Sequence, residues 1–172
     1  MKNKYLVLAG NSSLNLGFAS ALCVALGEFG KCEYVKYKHW ELDGGKSIDI
    51  EKEFRLLMTR DGLGDTILIA KSAGIILALH AAGKSVLFKK YYFFGVPFGF
   101  AKGLGVDIID DMKLLSSRDV TIMQNKFDPA CHFDMLIRKF GVDNQKNITF
   151  IEGSRSDHYY PVKEVVRVVV KM

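Results

Sequence analysis

The apolar positions of the chain occur in short runs whose spacing alternates between that of a strand and that of a helix. In KYLVLAGNSS an apolar run at residues 5–9 ends in glycine and small polar residues, which predicts a buried strand followed by a loop. LNLGFASALCVALGEFG has a helical recurrence that stops at Gly30, and CEYVKYK alternates as a strand does near residues 33–37. IDIEKEFRLLMTRDGLG predicts a second helix, whose apolar face comprises Ile50, Phe54, Leu57 and Met58.

The second half of the chain continues this alternation. TILIA predicts a buried strand, AGIILALHAAG a helix that Gly83 closes, and YYFFGVPF a strand that Pro97 ends. DVTIMQNKFDP and NITFIEG predict two further strands, with a helix between them in CHFDMLIRKFG. The last segment, PVKEVVRVVVKM, has the β-branched residues of an extended segment, but Pro161 in the first turn and the position after a strand favour a helix.

Strands that alternate with helices along the whole chain predict an α/β fold. We expect a three-layer α/β/α sandwich with a mostly parallel sheet of about six strands. The composition is that of one globular domain over residues 1–172. Ligands of such sheets bind at the carboxyl ends of the strands, so the loops that follow the strands are where reactive residues are expected.

The longest apolar stretch is DTILIAKSAGIILALHAAG, residues 65–83, and Lys71 and Ser72 interrupt it. The uninterrupted part holds about a dozen residues, whereas a bilayer crossing needs about 20, so we predict core rather than membrane. The apolar run at residues 5–9 is shorter than the roughly seven residues of a signal-peptide core. We therefore expect a cytoplasmic protein.

Charge and cysteine content indicate no nucleic acid, metal or cofactor. The net charge is +5, but the lysines are spread along the chain rather than gathered beside aromatic residues. Three cysteines without a C-x-x-C pair are typical of reduced thiols, not of a disulfide framework or a zinc site. Cys131 and His132 are neighbours on a predicted helix and point apart, and AGNSSLNLG lacks the spacing of a dinucleotide-binding loop.

Ser72 lies between a predicted buried strand and a predicted helix. The residues Ala70-Lys71-Ser72-Ala73-Gly74 follow the nucleophile-elbow pattern G-x-S-x-G, with alanine in place of the first glycine. Such a sharp turn exposes the serine hydroxyl and leaves the amide of Ala73 at a helix N-terminus, where it can stabilise an oxyanion. The simpler alternative is that Ser72 only caps the helix.

A serine nucleophile needs a base, and the base needs an orienting acid. Asp128 follows the strand VTIMQ, and His158 follows the strand ITFIE, so each candidate lies beyond the carboxyl end of a different strand. The chain order Ser, Asp, His is that of the α/β-hydrolases rather than of chymotrypsin-like or subtilisin-like proteases. The alternatives are that Asp128 caps the next helix, that Asp134 replaces it, and that the base is His132, His80 or His39.

On these motifs, nearly the whole chain resembles the α/β-hydrolase superfamily, and within it the small, lidless serine hydrolases related to dienelactone hydrolases and small cytosolic esterases. The resemblance implies that Ser72 is the nucleophile, His158 the general base and then acid, and Asp128 the residue that fixes the His158 tautomer. It also implies an oxyanion hole made by the amides of Ala73 and Asn11, with Ser12 as the near alternative to Asn11.

Two features depart from this family pattern or from its larger members. Ala9-Gly10 stands where the family has His-Gly before the oxyanion loop, and only GFAKGLGVDIIDDMKLLSSR separates the fourth and fifth strands, which leaves no room for a lid. An open site with a preference for short acyl chains is therefore expected. Lys71 is expected to face solvent at its mouth, and residues 97–100 are candidates for its lining.

These residues predict a serine hydrolase of ester-type bonds, either carboxylic ester or thioester, that works through an acyl-enzyme. The alternatives are a binding or scaffold protein that keeps the fold without turnover, and a hydrolase of peptide or carbon–carbon bonds. The expected partner is a small ester-like substrate. A homodimer is the one protein assembly that we allow for. Neither a membrane nor a nucleic acid is expected to bind.

Overall fold

A computed structural model describes residues 2–41, 47–141 and 146–171. Within these ranges the strands form a six-stranded sheet in the order β2-β1-β3-β4-β5-β6, and every pair of neighbours is parallel. The strands are β1 (Asn3–Leu8), β2 (Gly30–Tyr34), β3 (Thr66–Lys71), β4 (Lys90–Phe94), β5 (Asp119–Asn125) and β6 (Ile148–Gly153). The parallel sheet of the predicted α/β fold is confirmed.

Helices cover both faces of the sheet, as parallel strands require. The helices are α1 (Asn15–Leu26), α2 (Ile50–Leu57), α3 (Ala73–Gly83), α4 (Phe98–Gly103), α5 (Ile108–Met112), α6 (Phe133–Phe140) and α7 (Val162–Lys171). Helices α1 and α7 pack together on one face, and α2 to α6 contribute to the core on the other. The predicted three-layer sandwich is therefore confirmed, as is the helical state of the β-branched last segment.

The long apolar stretch of the sequence forms the centre of the molecule. Every residue of β3 is buried, and nine residues of α3 are buried with them. A strand covered on both faces and a helix buried nearly all round need apolar side chains at almost every position, which explains why the stretch lacks periodicity. No helix in the described ranges is long and apolar enough to cross a membrane.

The strand order puts a topological switch point at the carboxyl ends of β1 and β3. The chain moves from β1 outward to the edge strand β2 and then returns to the other side of β1 as β3, so the two connections diverge at this point. Such a switch point is where α/β sheets bind ligands. The loops after β1 and β3 carry Asn11 and Ser72.

Two sequence predictions of element limits were wrong, and glycines explain both. Gly30, which was expected to end a helix, instead begins strand β2. Glycine is needed there because a Cβ would lie 2.1 Å from the Asn3 carbonyl oxygen in the neighbouring strand. Strand β4 ends at Phe94, before Pro97, because Gly95 turns the chain with a φ of +71°. The segment after Pro97 then forms α4 and α5, neither of which the hydrophobic pattern predicted.

Candidate active site

Asp128 and His158 come together in the structure although 30 residues separate them. The His158 Nδ1 lies 2.9 Å from Asp128 Oδ1 and 2.8 Å from Oδ2. Because an ionised carboxylate only accepts hydrogen bonds, Nδ1 donates, and the tautomer leaves Nε2 free to act as a base. Asp128 is fully buried, whereas 27% of the His158 side chain is exposed.

Ser72 occupies a strained turn between β3 and α3. Its φ of 52° and ψ of −120° lie outside the favoured regions for a residue with a side chain, which costs about 1–3 kcal/mol. The turn is held because the Ser72 amide donates to the Phe94 carbonyl at 3.1 Å. The Ser72 side chain makes no capping hydrogen bond to α3, so the helix-cap alternative finds no support in this geometry.

Two glycines make room for this arrangement. A Cβ on Gly74 would lie 2.1 Å from the Leu8 carbonyl oxygen, so only glycine lets α3 cross the end of β1 this closely. A Cβ on Gly95 would lie 2.5 Å from His158 Cε1, and this glycine also has a left-handed φ. The imidazole of His158 therefore rests on bare backbone at the end of β4.

The two oxygens of Asp128 have further donors. Oδ1 accepts from the Ala130 amide at 2.8 Å, and Oδ2 accepts from the Tyr160 hydroxyl at 2.7 Å. The N-cap residue of α6 is His132, whose side chain makes no capping hydrogen bond. Asp128 therefore does not cap this helix, as one alternative supposed. Burial and the Asp128 charge raise the pKa of the Tyr160 hydroxyl, which keeps Tyr160 a neutral donor.

Asn125, the last residue of β5, holds the His158 loop in place. Its Nδ2 donates to the carbonyls of Asp157 and Tyr159 at 2.8 and 3.0 Å, one on each side of His158. Its backbone amide donates to the Tyr160 hydroxyl at 3.1 Å. Asn125 therefore connects the end of β5, the histidine loop and, through Tyr160, the buried Asp128.

The candidate oxyanion loop, residues 9–13, is fixed from the side of β2. The Tyr37 hydroxyl donates to the Ala9 carbonyl at 3.0 Å. His39 Nε2 and Trp40 Nε1 both lie within donating distance of the Asn11 carbonyl, at 2.7 and 2.9 Å. Among the described residues, neither the Asn11 amide nor the Ser12 amide is engaged as a donor, so both are available to a substrate oxygen.

Comparison with solved structures identifies the architecture. An α/β hydrolase from Sphaerobacter thermophilus aligns with a TM-score of 0.64 at 11% identity, over 99% of this chain and 92% of that one. A monoacylglycerol lipase from Paleococcus ferrophilus aligns with a TM-score of 0.65 at 13% identity, over 98% and 92% of the two chains. An esterase from Pyrococcus furiosus gives 0.66 at 10% identity, over 99% and 78%.

The chain has the α/β-hydrolase fold. The sequence itself matches no protein-family model and no curated protein. At identities of 10–13% the structural likeness shows the fold alone.

Within the α/β-hydrolase fold, the structure brings Ser72, Asp128 and His158 to the same edge of the sheet, each just beyond a different strand. It records no hydrogen bond between the Ser72 hydroxyl and His158 in the described part of the chain. Catalytic hydrogen bonds are often long without substrate and tighten when substrate binds, so the absence of this bond is compatible with catalysis by Ser72 and His158.

The competing acid and bases lie elsewhere. Asp134 is exposed in the first turn of α6, and His132 is exposed against the ring of Phe127. His80 lies on α3, and its Nε2 is 3.1 Å from Glu51 Oε2. His39 is half-buried in a short 3-10 helix and bonds the Asn11 carbonyl. Of the four histidines, His158 is the one bonded to Asp128.

The expected exposure of Lys71, which precedes Ser72 in the candidate nucleophile elbow, was wrong. Lys71 was expected to face solvent, but it is only 9% exposed. Its Nζ donates to Asn15 Oδ1 at 2.8 Å and lies 5.5 Å from the centre of the Phe18 ring. The side chain points towards α1 because successive residues of a strand point to opposite faces, and at position 71 that face is covered by helix.

Sequence reasoning missed the residues that support the candidate triad. Tyr160 and Asn125 hydrogen-bond partners 32 to 35 residues away, and such distant pairs leave no local pattern. One signal was present: a polar residue ends the buried strand β5, where an apolar one would otherwise be expected.

Proposed function

We propose that the protein is a serine hydrolase of carboxylic esters or thioesters that works through an acyl-enzyme. The observation that carries the proposal is the Asp128–His158 hydrogen bond at 2.8 Å, at the same sheet edge as a serine held in a positive-φ elbow. Solved structures with the same fold, an esterase and a monoacylglycerol lipase among them, support an ester substrate.

In the proposed first half-reaction, the Ser72 oxygen attacks the carbonyl carbon of the substrate while His158 Nε2 takes the hydroxyl proton. The carbonyl π electrons move to oxygen, and the amides of Ala73 and Asn11 stabilise that negative charge. When the tetrahedral intermediate collapses, the bond to the alcohol or thiol breaks and His158 returns the proton to the leaving group. Asp128 orients the imidazole and stabilises its charged form.

In the second half-reaction, water replaces the leaving group. His158 takes a proton from water, the resulting hydroxide attacks the acyl carbon, and collapse releases the carboxylic acid and regenerates the Ser72 hydroxyl. The Ala73 amide is suited to both half-reactions because it lies at the N-terminus of α3, where amides have no partner in their own helix.

The proposed substrates are small esters with short acyl chains, and the proposed setting is the cytoplasm. The segment between β4 and β5 forms only the short helices α4 and α5 and a single 3-10 turn. Such short elements contribute little apolar cover for a long acyl chain.

Replacement of the nucleophile tests the proposal directly. Ser72→Ala should lower kcat for p-nitrophenyl acetate at least about a thousandfold, because a nucleophile cannot be replaced by the remaining site groups. Ser20→Ala, on the exposed face of α1, is the matched control and should keep full activity. Labelling by a fluorophosphonate probe should disappear in the first variant only.

A wild-type protein that neither turns over esters nor reacts with the probe would contradict the proposal and favour a binding protein on the same fold. Equal turnover by Ser72→Ala and the wild type would place the chemistry at another residue. A panel of esters and thioesters of graded chain length then defines the bond and acyl preference.

A further inference from the structure

Lys71 is buried, and no carboxylate within the described part of the chain pairs with it. It is 9% exposed, and none of the salt bridges formed by the described residues includes it. Lysine is rarely buried unless it is paired, because removing a charge from water is costly. A lysine kept in this state directly before the candidate nucleophile calls for a functional explanation.

The one hydrogen-bond acceptor of Lys71 in the described chain is Asn15, and Asn15 bonds the candidate oxyanion loop. Asn15 Oδ1 accepts from Lys71 Nζ at 2.8 Å, while Asn15 Nδ2 donates to the Ser12 carbonyl at 2.9 Å. The same amide group packs on Gly10, where a Cβ would lie 2.8 Å from Nδ2. A chain of contacts therefore runs from the elbow to the loop.

We propose that Lys71 is a positioning residue, which holds the oxyanion loop at a fixed distance from the nucleophile elbow through Asn15. Lys71 adjoins Ser72, so the tether and the nucleophile share one stretch of backbone. On the other side the loop is held by His39 and Trp40 at the Asn11 carbonyl. The proposal rests on the proposed function, since it concerns the oxyanion hole of that site.

The geometry of an oxyanion hole makes such a tether useful. Its two donors come from separate segments, the Ala73 amide from α3 and the loop amide from the connection after β1, and they must both reach one oxygen at about 2.7–3.1 Å. A displacement of about 1 Å in a catalytic group can cost about a hundredfold in rate.

The surroundings of Lys71 act on the charge of its side chain in both directions. Burial lowers the pKa of Lys71, while the Asp128 carboxylate acts in the opposite direction. The Phe18 ring, 5.5 Å from Nζ, favours the charged ammonium, which donates the stronger hydrogen bond to Asn15.

Lys71→Met keeps an unbranched side chain of nearly the length of the lysine stem and removes the Nζ donor. We expect kcat for p-nitrophenyl acetate to fall about tenfold or more with KM changed less than about twofold, since the oxyanion hole acts in the transition state. Asn15→Leu should have the same effect, and the double variant should be no slower than the slower single variant, because both break one tether. Lys71→Arg should recover part of kcat, and Lys163→Met, on the exposed face of α7, is the matched control.

Hydrogen exchange measures the tether without relying on activity. In Lys71→Met or Asn15→Leu the amides that bond the loop, those of residues 15, 16 and 48, should exchange at least about tenfold faster than in the wild type, whereas β4 should be unchanged. Because Asn15 is at the half-buried start of α1, its variant keeps the test open if Lys71→Met fails to fold.

Unchanged exchange at these three amides would overturn the proposal, whether or not kcat falls, because Lys71 would then act otherwise than through loop position. Failure of the proposed function is a separate result: it is seen as a wild type without turnover, and the exchange measurement still decides whether Lys71 holds the loop.

Discussion

Tyr160 shows how one hydroxyl can serve both the candidate site and the fold. It donates to Asp128 Oδ2 at 2.7 Å and accepts from the Asn125 amide at 3.1 Å, and it is completely buried. The Asp128 carboxylate thus has donors from the Ala130 amide, His158 and Tyr160. A carboxylate satisfied in this way stays fixed and can orient the imidazole.

Tyr160→Phe removes that hydroxyl and little else. We expect an unfolding free energy lower by about 1–3 kcal/mol, because the buried Asn125 amide loses its acceptor. We also expect a kcat about tenfold lower, because Asp128 loses a donor that holds its orientation for His158. Urea unfolding and ester turnover measure the two effects, with Tyr34→Phe on the edge strand β2 as control. A loss of stability with unchanged kcat would make Tyr160 purely structural.

The crossing of β1 and α3 determines where the elbow can sit. Gly74 touches the Leu8 carbonyl so closely that no side chain fits, and the Ala73 amide and Ser72 hydroxyl depend on this approach. Gly17, in the first turn of α1, has no neighbour within 4 Å of where its Cβ would be. Substitution by alanine is therefore expected to have opposite effects on stability at these two positions.

Gly74→Ala should destabilise the protein by about 1–3 kcal/mol or more, because the helix must move away from β1, and it should also lower kcat. Gly17→Ala should stabilise it by about 0.5–1 kcal/mol, because alanine has the higher helix propensity and open space around it. Thermal unfolding and ester turnover of both variants check this pair. Similar stability changes in the two would mean that α3 tolerates the Cβ and that the elbow does not depend on the close approach.

Elements were predictable where one local pattern contains the whole cause. Strand β3 and the helix after it could be placed because consecutive apolar residues show that both elements are buried. The start of β2 could not, because it depends on the contact of Gly30 with Asn3 in another strand. The direction of Lys71 likewise depends on α1, whose position no local pattern gives.

The approach of Asp128 to His158 was predictable from the loops that carry them, whereas the residues that support the pair were not. Parallel strands bring all their carboxyl ends to one edge, so residues that follow different strands come to that same edge. The bonds of Tyr160 and Asn125, and the tether from Lys71 to Asn15, join residues from 32 to 56 positions apart. Their formation follows from packing of the whole chain.

At the scale of the molecule, Glu53 is a buried carboxyl that bonds the 3-10 helix next to the candidate oxyanion loop. It is 1% exposed on α2, and its Oε1 accepts from the Lys38 amide at 2.7 Å, at the start of the 3-10 helix that carries His39 and Trp40. Its Oε2 has no hydrogen-bond partner among the residues that the structure describes. Burial raises the pKa of Glu53 above its ordinary value of 4.5, although the Lys38 amide acts against this.

This shift predicts how stability depends on pH. A carboxyl whose pKa is higher in the folded state binds more protons there than in the unfolded state, so the free energy of unfolding falls as pH rises from about 4.5 through the folded pKa. Glu53→Gln removes this term, and its amide oxygen can still accept from Lys38. The Tm of Glu53→Gln minus that of the wild type should therefore be larger at pH 7.5 than at pH 4.5.

Thermal unfolding of both proteins across this pH range measures the difference, and Glu28→Gln, which is exposed, provides the control with no change in slope. Parallel curves for Glu53→Gln and the wild type would mean that solvent reaches Glu53 in the folded state. The free energy that burial of the Glu53 carboxylate costs at neutral pH would then be absent.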